Sequence, residues 1–257
     1  MANDELAGLG VLVTRPEAQA RALATTIKAH GGIPFLFPVI EIEPLHPDDV
    51  AERANLLEPP DITIFVSANA VKHGLPYAAD SVICAIGPAT AAAIEESGYP
   101  KVIRADSGFD SEHLLQALES RDVSGQTVRI IRGVGGREML AQSLRSRGAH
   151  VDYLEVYERR PPHYDDSQIE QLCSRLCNGS IHIVTAMSVE SLLNLFEFLN
   201  PDAMKKLATT PLVTPSARVI KEAHNRLTEV QPVLADGPQP DDMVRAMIAC
   251  CKTRDFR

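Results

Sequence analysis

Residues 10–44 read GVLVTRPEAQARALATTIKAHGGIPFLFPVIEIEP, and residues 127–161 read TVRIIRGVGGREMLAQSLRSRGAHVDYLEVYERRP. Set side by side at an offset of 117 residues without a gap, Val11–Pro44 and Val128–Pro161 share eight identical positions, taken from the first copy as Val11, Arg15, Leu23, Ala24, Gly31, Val39, Glu41 and Pro44. About two identities are expected by chance at ordinary residue frequencies, so the chain repeats itself. Each copy is a short apolar run, a small or polar turn and a helical pattern, followed by an extended segment that ends in proline.

Three further segments repeat in the same order. Residues 63–71 (TIFVSANAV) match 181–189 (IHIVTAMSV), 85–94 (AIGPATAAAI) match 211–220 (PLVTPSARVI), and 102–118 match 233–247 with one gap. Two sets of strand–turn–helix units predict an α/β protein with two similar parallel-sheet domains. Runs such as VLV and IHIV are apolar throughout, as strands covered on both faces require. Thr14, Ser67, Thr185 and Ser216 follow these strands and are read as caps of the next helix. Ligands of such sheets bind beyond the carboxyl ends of the strands, where these turns lie.

Composition narrows the function. The chain has 257 residues, 45% of them hydrophobic, which is enough for one large or two modest domains. No apolar run reaches membrane-spanning length, and the N-terminal MANDELAGLG lacks the basic and apolar regions of a signal peptide. A soluble cytoplasmic protein without a membrane partner is expected. The formal charge of −9 argues against nucleic acid as a partner. An anionic ligand would have to be held by backbone N–H groups, helix N-termini or a few arginines. The five cysteines read as free thiols, and Cys173-x-x-x-Cys177 has no second pair to complete a metal site.

The turn after Val128–Arg132 contains Gly133, Gly135 and Gly136. A dinucleotide fingerprint beginning at Gly133 needs its third glycine where Glu138 stands, and no G-K-[ST] marks a P-loop. The turn is either a tight strand-to-helix corner or one that offers N–H groups to an anion. Arg15 and Arg132 are repeat-equivalent at strand ends; each either pairs with a carboxylate or meets an anionic ligand, and Arg137 is a third candidate. Ser67, Thr90, Thr185 and Ser216 fall at turns or first helical residues and read singly as caps, together as a lining. Asp106 and Asp236 read as loop and capping residues. Tyr157 is either a half-buried strand aromatic or a phenol that donates a hydrogen bond across an interdomain gap.

The segments VTRPEAQA, IFVSANAV, AIGPATAAAIEESGY, SGFDSEHLL, RGVGGREML and LEVYERRPP, in this order over nearly the whole chain, resemble uroporphyrinogen-III synthase. The resemblance implies an enzyme of tetrapyrrole biosynthesis. It would close the linear tetrapyrrole hydroxymethylbilane into uroporphyrinogen III, inverting the last ring and losing water, with no metal or organic cofactor. A non-catalytic two-lobed binder of a tetrapyrrole is the reading from another class.

The resemblance also implies a swapped architecture. Two flavodoxin-like domains, residues 1–34 with 162–257 and residues 43–152, would be joined by an antiparallel linker of strands 35–42 and 153–161, with a cleft between them. Tyr157 is then the expected catalytic group. Arg15, Ser67, Asn69, Thr90, Arg132, Gly133, Gly135, Gly136, Arg137, Thr185, Met187 and Ser216 are the expected substrate-binding positions, facing the eight substrate carboxylates. A monomer is expected, with a transient encounter with the upstream hydroxymethylbilane synthase.

Overall fold

The structure, a computed structural model, describes residues 4–99, 101–104, 111–119, 121–136, 138–227 and 229–252. Arg137 and Asp106 lie outside the described residues. In chain order the elements are β1 (Gly10–Val13), α1 (Glu17–Ala29), β2 (Ile33–Leu36), β3 (Glu41–Pro44), α2 (Pro47–Leu56), β4 (Ile62–Phe65) and α3 (Ala68–Gly74). They continue with β5 (Val82–Ala85), α4 (Pro88–Glu96), α5 (Ser111–Ala117), β6 (Thr127–Gly133), α6 (Met139–Ser146) and β7 (His150–Arg160). The last are α7 (Asp166–Cys177), β8 (Ile183–Thr185), α8 (Val189–Glu197), α9 (Pro201–Thr209), β9 (Leu212–Thr214), α10 (Ala217–Arg226), β10 (Pro232–Leu234) and α11 (Pro240–Lys252). The chain divides into two compact units, Met1–Glu41 with Arg160–Arg257, and Ile42–Arg159.

The discontinuous unit is built on a sheet of order β10-β9-β8-β1-β2, with every neighbouring pair parallel. Counted along this unit the order is 2-1-3-4-5, the flavodoxin-like winding. Val11 and Val13 of β1 face a core made with Leu23 and Ile27 of α1 and Met243 and Met247 of α11. The apolar residues of α1 stand three and four apart, so one helical stripe covers one sheet face.

The second unit has the order β3-β7-β6-β4-β5, and the pairs β7–β6, β6–β4 and β4–β5 are parallel. Alternation along β4 sends Ile62 and Ile64 to one core and Phe65 to the other. Both faces of the sheet are therefore covered, and even the polar Thr63 of β4 and Arg129 of β6 are buried.

Sheet register gives the internal repeat a physical basis. β1 pairs Gly10 with Ile33, and β6 pairs Thr127 with His150, so both partners keep the offset of 117 residues. The next two matches are displaced by three residues. Val11 pairs with Ile183 in one sheet and Val128 pairs with Ile62 in the other, which makes Ile62 equivalent to Ile183 and Ser67 equivalent to Ser188, not to Thr185. Continuing through Ile64–Cys84 and Thr185–Val213, Ser216 is equivalent to Gly87, not to Thr90.

The expected linker strand over 35–42 does not form as one strand. Residues 33–36 belong to the first sheet, 41–44 to the second, and 37–40 lie outside any strand. Pro38 has no N–H to donate. Its carbonyl accepts from the Tyr164 hydroxyl at 2.8 Å, and the Val39 carbonyl accepts from Asn194 Nδ2 at 2.9 Å. Residues 153–160 are all but the first three residues of the single strand β7, with β3 at its side.

Candidate functional site

At the carboxyl edge of the second sheet, Ser67 ends the loop after β4 and caps α3, its Oγ accepting from the Ala70 N–H at 3.0 Å. The Tyr157 hydroxyl lies 3.1 Å from the same Oγ. Tyr157 is 1% exposed and packs with Phe65, Ala70, Ile131 and Val156. The phenol expected to project into an open gap is therefore a buried group tied to a half-buried serine. The His73 ring stands 6.4 Å from the Tyr157 ring, centroid to centroid. Burial, then the charge of Lys72, lowers the His73 pKa from its ordinary value, which favours the neutral ring.

The position of Tyr157 depends on a slip in the sheet. Arg132 pairs with Glu155, but Gly133 pairs with Tyr157, so Val156 is an extra residue on β7. The bulge turns both Val156 and Tyr157 toward one core, where a regular strand would alternate them. Gly133 is required beneath the ring, because a Cβ there would stand 2.5 Å from Tyr157 Cε2.

The glycine turn does hold an anion, and the anion is the chain's own. Gly135, with φ of +73°, donates its N–H to Glu155 Oε1 at 3.2 Å, and Val134 donates to the Tyr157 carbonyl at 2.8 Å. Arg132 Nη2 meets the same Glu155 oxygen at 3.3 Å, and Arg132 Nη1 meets Glu138 at 3.2 Å. Its guanidinium carbon lies 3.6 Å from the Tyr153 ring centroid. Two carboxylates thus neutralise the arginine expected to meet substrate, and the Gly135 amide already has an acceptor. Gly136, with φ of +116°, sits beside them in a conformation that suits glycine. Burial and the bond to Glu138 push the Tyr153 phenol up to about 12, and that bond, ahead of Arg132, holds the Glu138 carboxyl below its usual range.

The remaining positions separate. Thr185 is fully buried at the end of β8 and donates to the Leu12 carbonyl at 3.0 Å, while Thr14 donates to the Thr185 carbonyl at 2.7 Å. These threonines tie two strands together and cap nothing. Thr90 is 4% exposed in the first turn of α4, where Gly87 is the N-cap. Ser216 occupies the N-cap position of α10 without a side-chain capping bond. Arg15 is 7% exposed and donates to the Pro238 carbonyl at 2.5 Å. Desolvation lowers its pKa. Asn69 lies half-buried in the first turn of α3.

In the discontinuous unit the structure brings Met187 and Ser216 together in a depression of about 230 Å³, with Ser188, Val189, Glu190 and Arg218. Ser188 caps α8, its Oγ accepting from the Ser191 N–H at 3.1 Å. Ser188, Arg218 and Glu155 were not among the expected positions. The hydroxyl-x-x-Ser pattern of Ser188–Ser191 is the one local signal that points to the first of them. Among the described residues no group of three or more His, Cys, Asp or Glu is placed to hold a metal ion.

Two parallel-dominated sheets, whose matching strands come in permuted chain order, with serine-capped helices beyond the strand ends, define a class of tandem α/β proteins. The chain belongs to the uroporphyrinogen-III synthase family: the family model described as Uroporphyrinogen-III synthase HemD matches residues 21–245. Uroporphyrinogen-III synthase of Salmonella typhimurium is 32% identical over 170 residues, 62% of this chain and 69% of that protein. That of Chlorobaculum parvum is 25% identical over 249 residues, 89% of this chain and 94% of the other. Among solved structures, a mutant uroporphyrinogen III synthase from the extremely thermophilic bacterium Thermus thermophilus has a TM-score of 0.60 at 18% identity, covering 96% of this chain and 100% of the other. The Helicobacter pylori enzyme has a TM-score of 0.59 at 13% identity, covering 94% of this chain and 99% of the other. At such identities these two structures speak for the fold.

Proposed function

We propose that the chain carries out its family's reaction, closing hydroxymethylbilane to uroporphyrinogen III with loss of water and inversion of the last ring, and that Ser67 and Tyr157 act in it as a pair. Membership of the family over residues 21–245 carries the activity. The 3.1 Å contact between the two hydroxyls carries the site. A hydroxyl has one hydrogen to give and two lone pairs to receive. Ser67 Oγ receives the Ala70 N–H. When Tyr157 donates as well, both lone pairs are occupied and the serine hydrogen is left to point away from the core.

A hydrogen directed in this way suits the substrate. Protonation of the departing hydroxyl releases water and leaves an azafulvene. The substituted carbon of the last ring attacks it, the spiro intermediate fragments, and re-closure followed by proton loss gives the inverted macrocycle. The pyrrole nitrogens supply the electrons, so the protein's work is to hold the two ends and assist the leaving group. The depression at Met187, Ser188, Glu190, Ser216 and Arg218 offers a substrate carboxylate an exposed cation and the first turns of α8 and α10, with the Glu190 carboxylate as the opposing charge in its lining.

We take the crossover segments near residues 41 and 160 as linkers beside a substrate cleft. We take the chain as a cytoplasmic monomer that needs no cofactor and meets hydroxymethylbilane synthase transiently. No helix among the described residues is long and apolar enough to cross a membrane. Incubating the purified chain with hydroxymethylbilane and a chelator, then oxidising and separating the porphyrin isomers, tests the activity: isomer III is expected, and isomer I alone overturns it.

A further inference from the structure

The Ser67–Tyr157 contact exists because β7 is bulged at Val156, and a bulge has to be held. Four bonds converge on it. From the β3 side the Leu45 N–H donates to the Val156 carbonyl at 3.1 Å; the other three come from the end of β6 and the turn after it. The Val134 N–H grips the Tyr157 carbonyl at 2.8 Å on one side of the extra residue. On the other side Glu155 Oε1 receives both the Gly135 N–H at 3.2 Å and Arg132 Nη2 at 3.3 Å. Val134 and Gly135 are consecutive, so these donors clamp β7 just before and just after Val156. Glu155 points to the core face opposite Tyr157, beside Arg132 and the Tyr153 ring, and has no direct route to the hydroxyl pair.

We propose that Glu155, through its bonds to the Gly135 amide and the Arg132 guanidinium, is a positioning residue that holds the bulge of β7 and so keeps the Tyr157 hydroxyl on Ser67. The charge on Glu155 is not incidental. A carboxylate accepts from a backbone N–H and a guanidinium at once, and such charge-assisted bonds are about twice as strong as neutral ones. Arg53 adds little, with Nη1 at 3.8 Å from Glu155 and most of its side chain in water. Without the acceptor, the Gly135 N–H turns to water, and Val134 loses the neighbour that aims its own N–H at Tyr157. The regular register, which would place Tyr157 on the face of Glu155, then competes with the bulged one.

The activity arm of the test rests on the function proposed above; the exchange arm does not. Glu155→Met keeps the length of the side chain and removes the acceptor, whereas Glu155→Gln keeps an amide oxygen that can still receive the Gly135 N–H. Hydrogen exchange at the Val134 and Gly135 amides is measured in the full chain without substrate, with kcat and KM for hydroxymethylbilane measured beside it. Glu155→Met should lose protection at both amides. Its kcat should fall about 10-fold, the scale at which a small displacement of a reacting group is felt, with KM within about twofold of the parent. Glu155→Gln, whose neutral bonds are about half as strong, should recover part of both. Unchanged protection of Val134 in Glu155→Met overturns the clamp. Lost protection with an unchanged kcat overturns the positioning role, as does a fall in kcat that Gln fails to rescue. If the parent chain turns over no hydroxymethylbilane, the function is wrong, and exchange at Val134 still decides the clamp.

Discussion

Replacing Tyr157 by phenylalanine isolates the hydroxyl pair from everything else the ring does. The ring packs over Gly133 and within a core shared with Phe65 and Ile131, and phenylalanine keeps those contacts. What is lost is one hydrogen bond of 3.1 Å to Ser67 Oγ, which still receives the Ala70 N–H. A neutral intramolecular bond contributes about 0.5–1.5 kcal/mol net. At about 2–4 °C per kcal/mol for a chain of roughly this size, Tm should fall by only a few degrees. Turnover should suffer more. Freed of its second donor, the serine hydrogen can rotate inward, and assistance to the leaving hydroxyl weakens. Positioned general acids contribute about 10²–10⁴-fold; because the pyrroles supply much of the driving force here, a loss of roughly 10-fold or more in kcat is expected. Ser67→Ala should lose a similar factor, and the double variant no more than the worse single one, as groups acting as a unit do. Isomer-resolved kinetics with hydroxymethylbilane give all three values. Full turnover by Tyr157→Phe, with Tm lowered by no more than the missing bond, would show that the pair is structural and refute the reasoning.

Other outcomes follow from single contacts. Gly133→Ala puts a methyl group 2.5 Å from Tyr157 Cε2, so denaturant titration should show a loss of about 1–3 kcal/mol from overpacking. Ser188→Ala removes a cap bond at 3.1 Å and should cost about 1 kcal/mol, whereas Ser216→Ala, with no cap bond to lose, should stay within about 0.5 kcal/mol. Equal costs would contradict the difference in capping between these two serines. The phenols of Tyr153 and Tyr164, each raised from 10.0 to about 12, chiefly by burial, should ionise late in an ultraviolet titration of the folded chain. Because the unfolded state loses those protons first, these two phenols add no pH dependence below about pH 10 and lower stability between about pH 10 and 12. Ordinary titration of both phenols in Tyr153→Phe and Tyr164→Phe difference spectra would contradict these raised values.

The parts of this fold that show in the sequence are those whose spacing is rigid. β1 with β2 and β6 with β7 are each joined by one helix and one short turn, so their paired residues keep the offset of 117. The later matches slipped by three because a threonine inside a strand end and a serine at a cap look alike in sequence. Thr185 bonds to the Leu12 carbonyl, while Ser188 bonds to its own helix. Tyr157 was legible as a residue of interest, but its burial was not, since nothing local marks Val156 as the extra residue of a bulge. The role of Glu155 is hidden in the sequence for a related reason. Its partner Gly135 lies 20 residues away, and the glycine pattern announces an anion without saying that the chain supplies it.

The central claim is that this chain, like its family, directs closure of hydroxymethylbilane to the inverted ring. Product-isomer analysis tests it most directly, with the purified chain at limiting concentration and an enzyme-free control run in parallel. Uroporphyrinogen III forming in proportion to added protein, in the presence of a chelator, is the predicted result. Isomer I alone, at the rate of the control, would contradict the account.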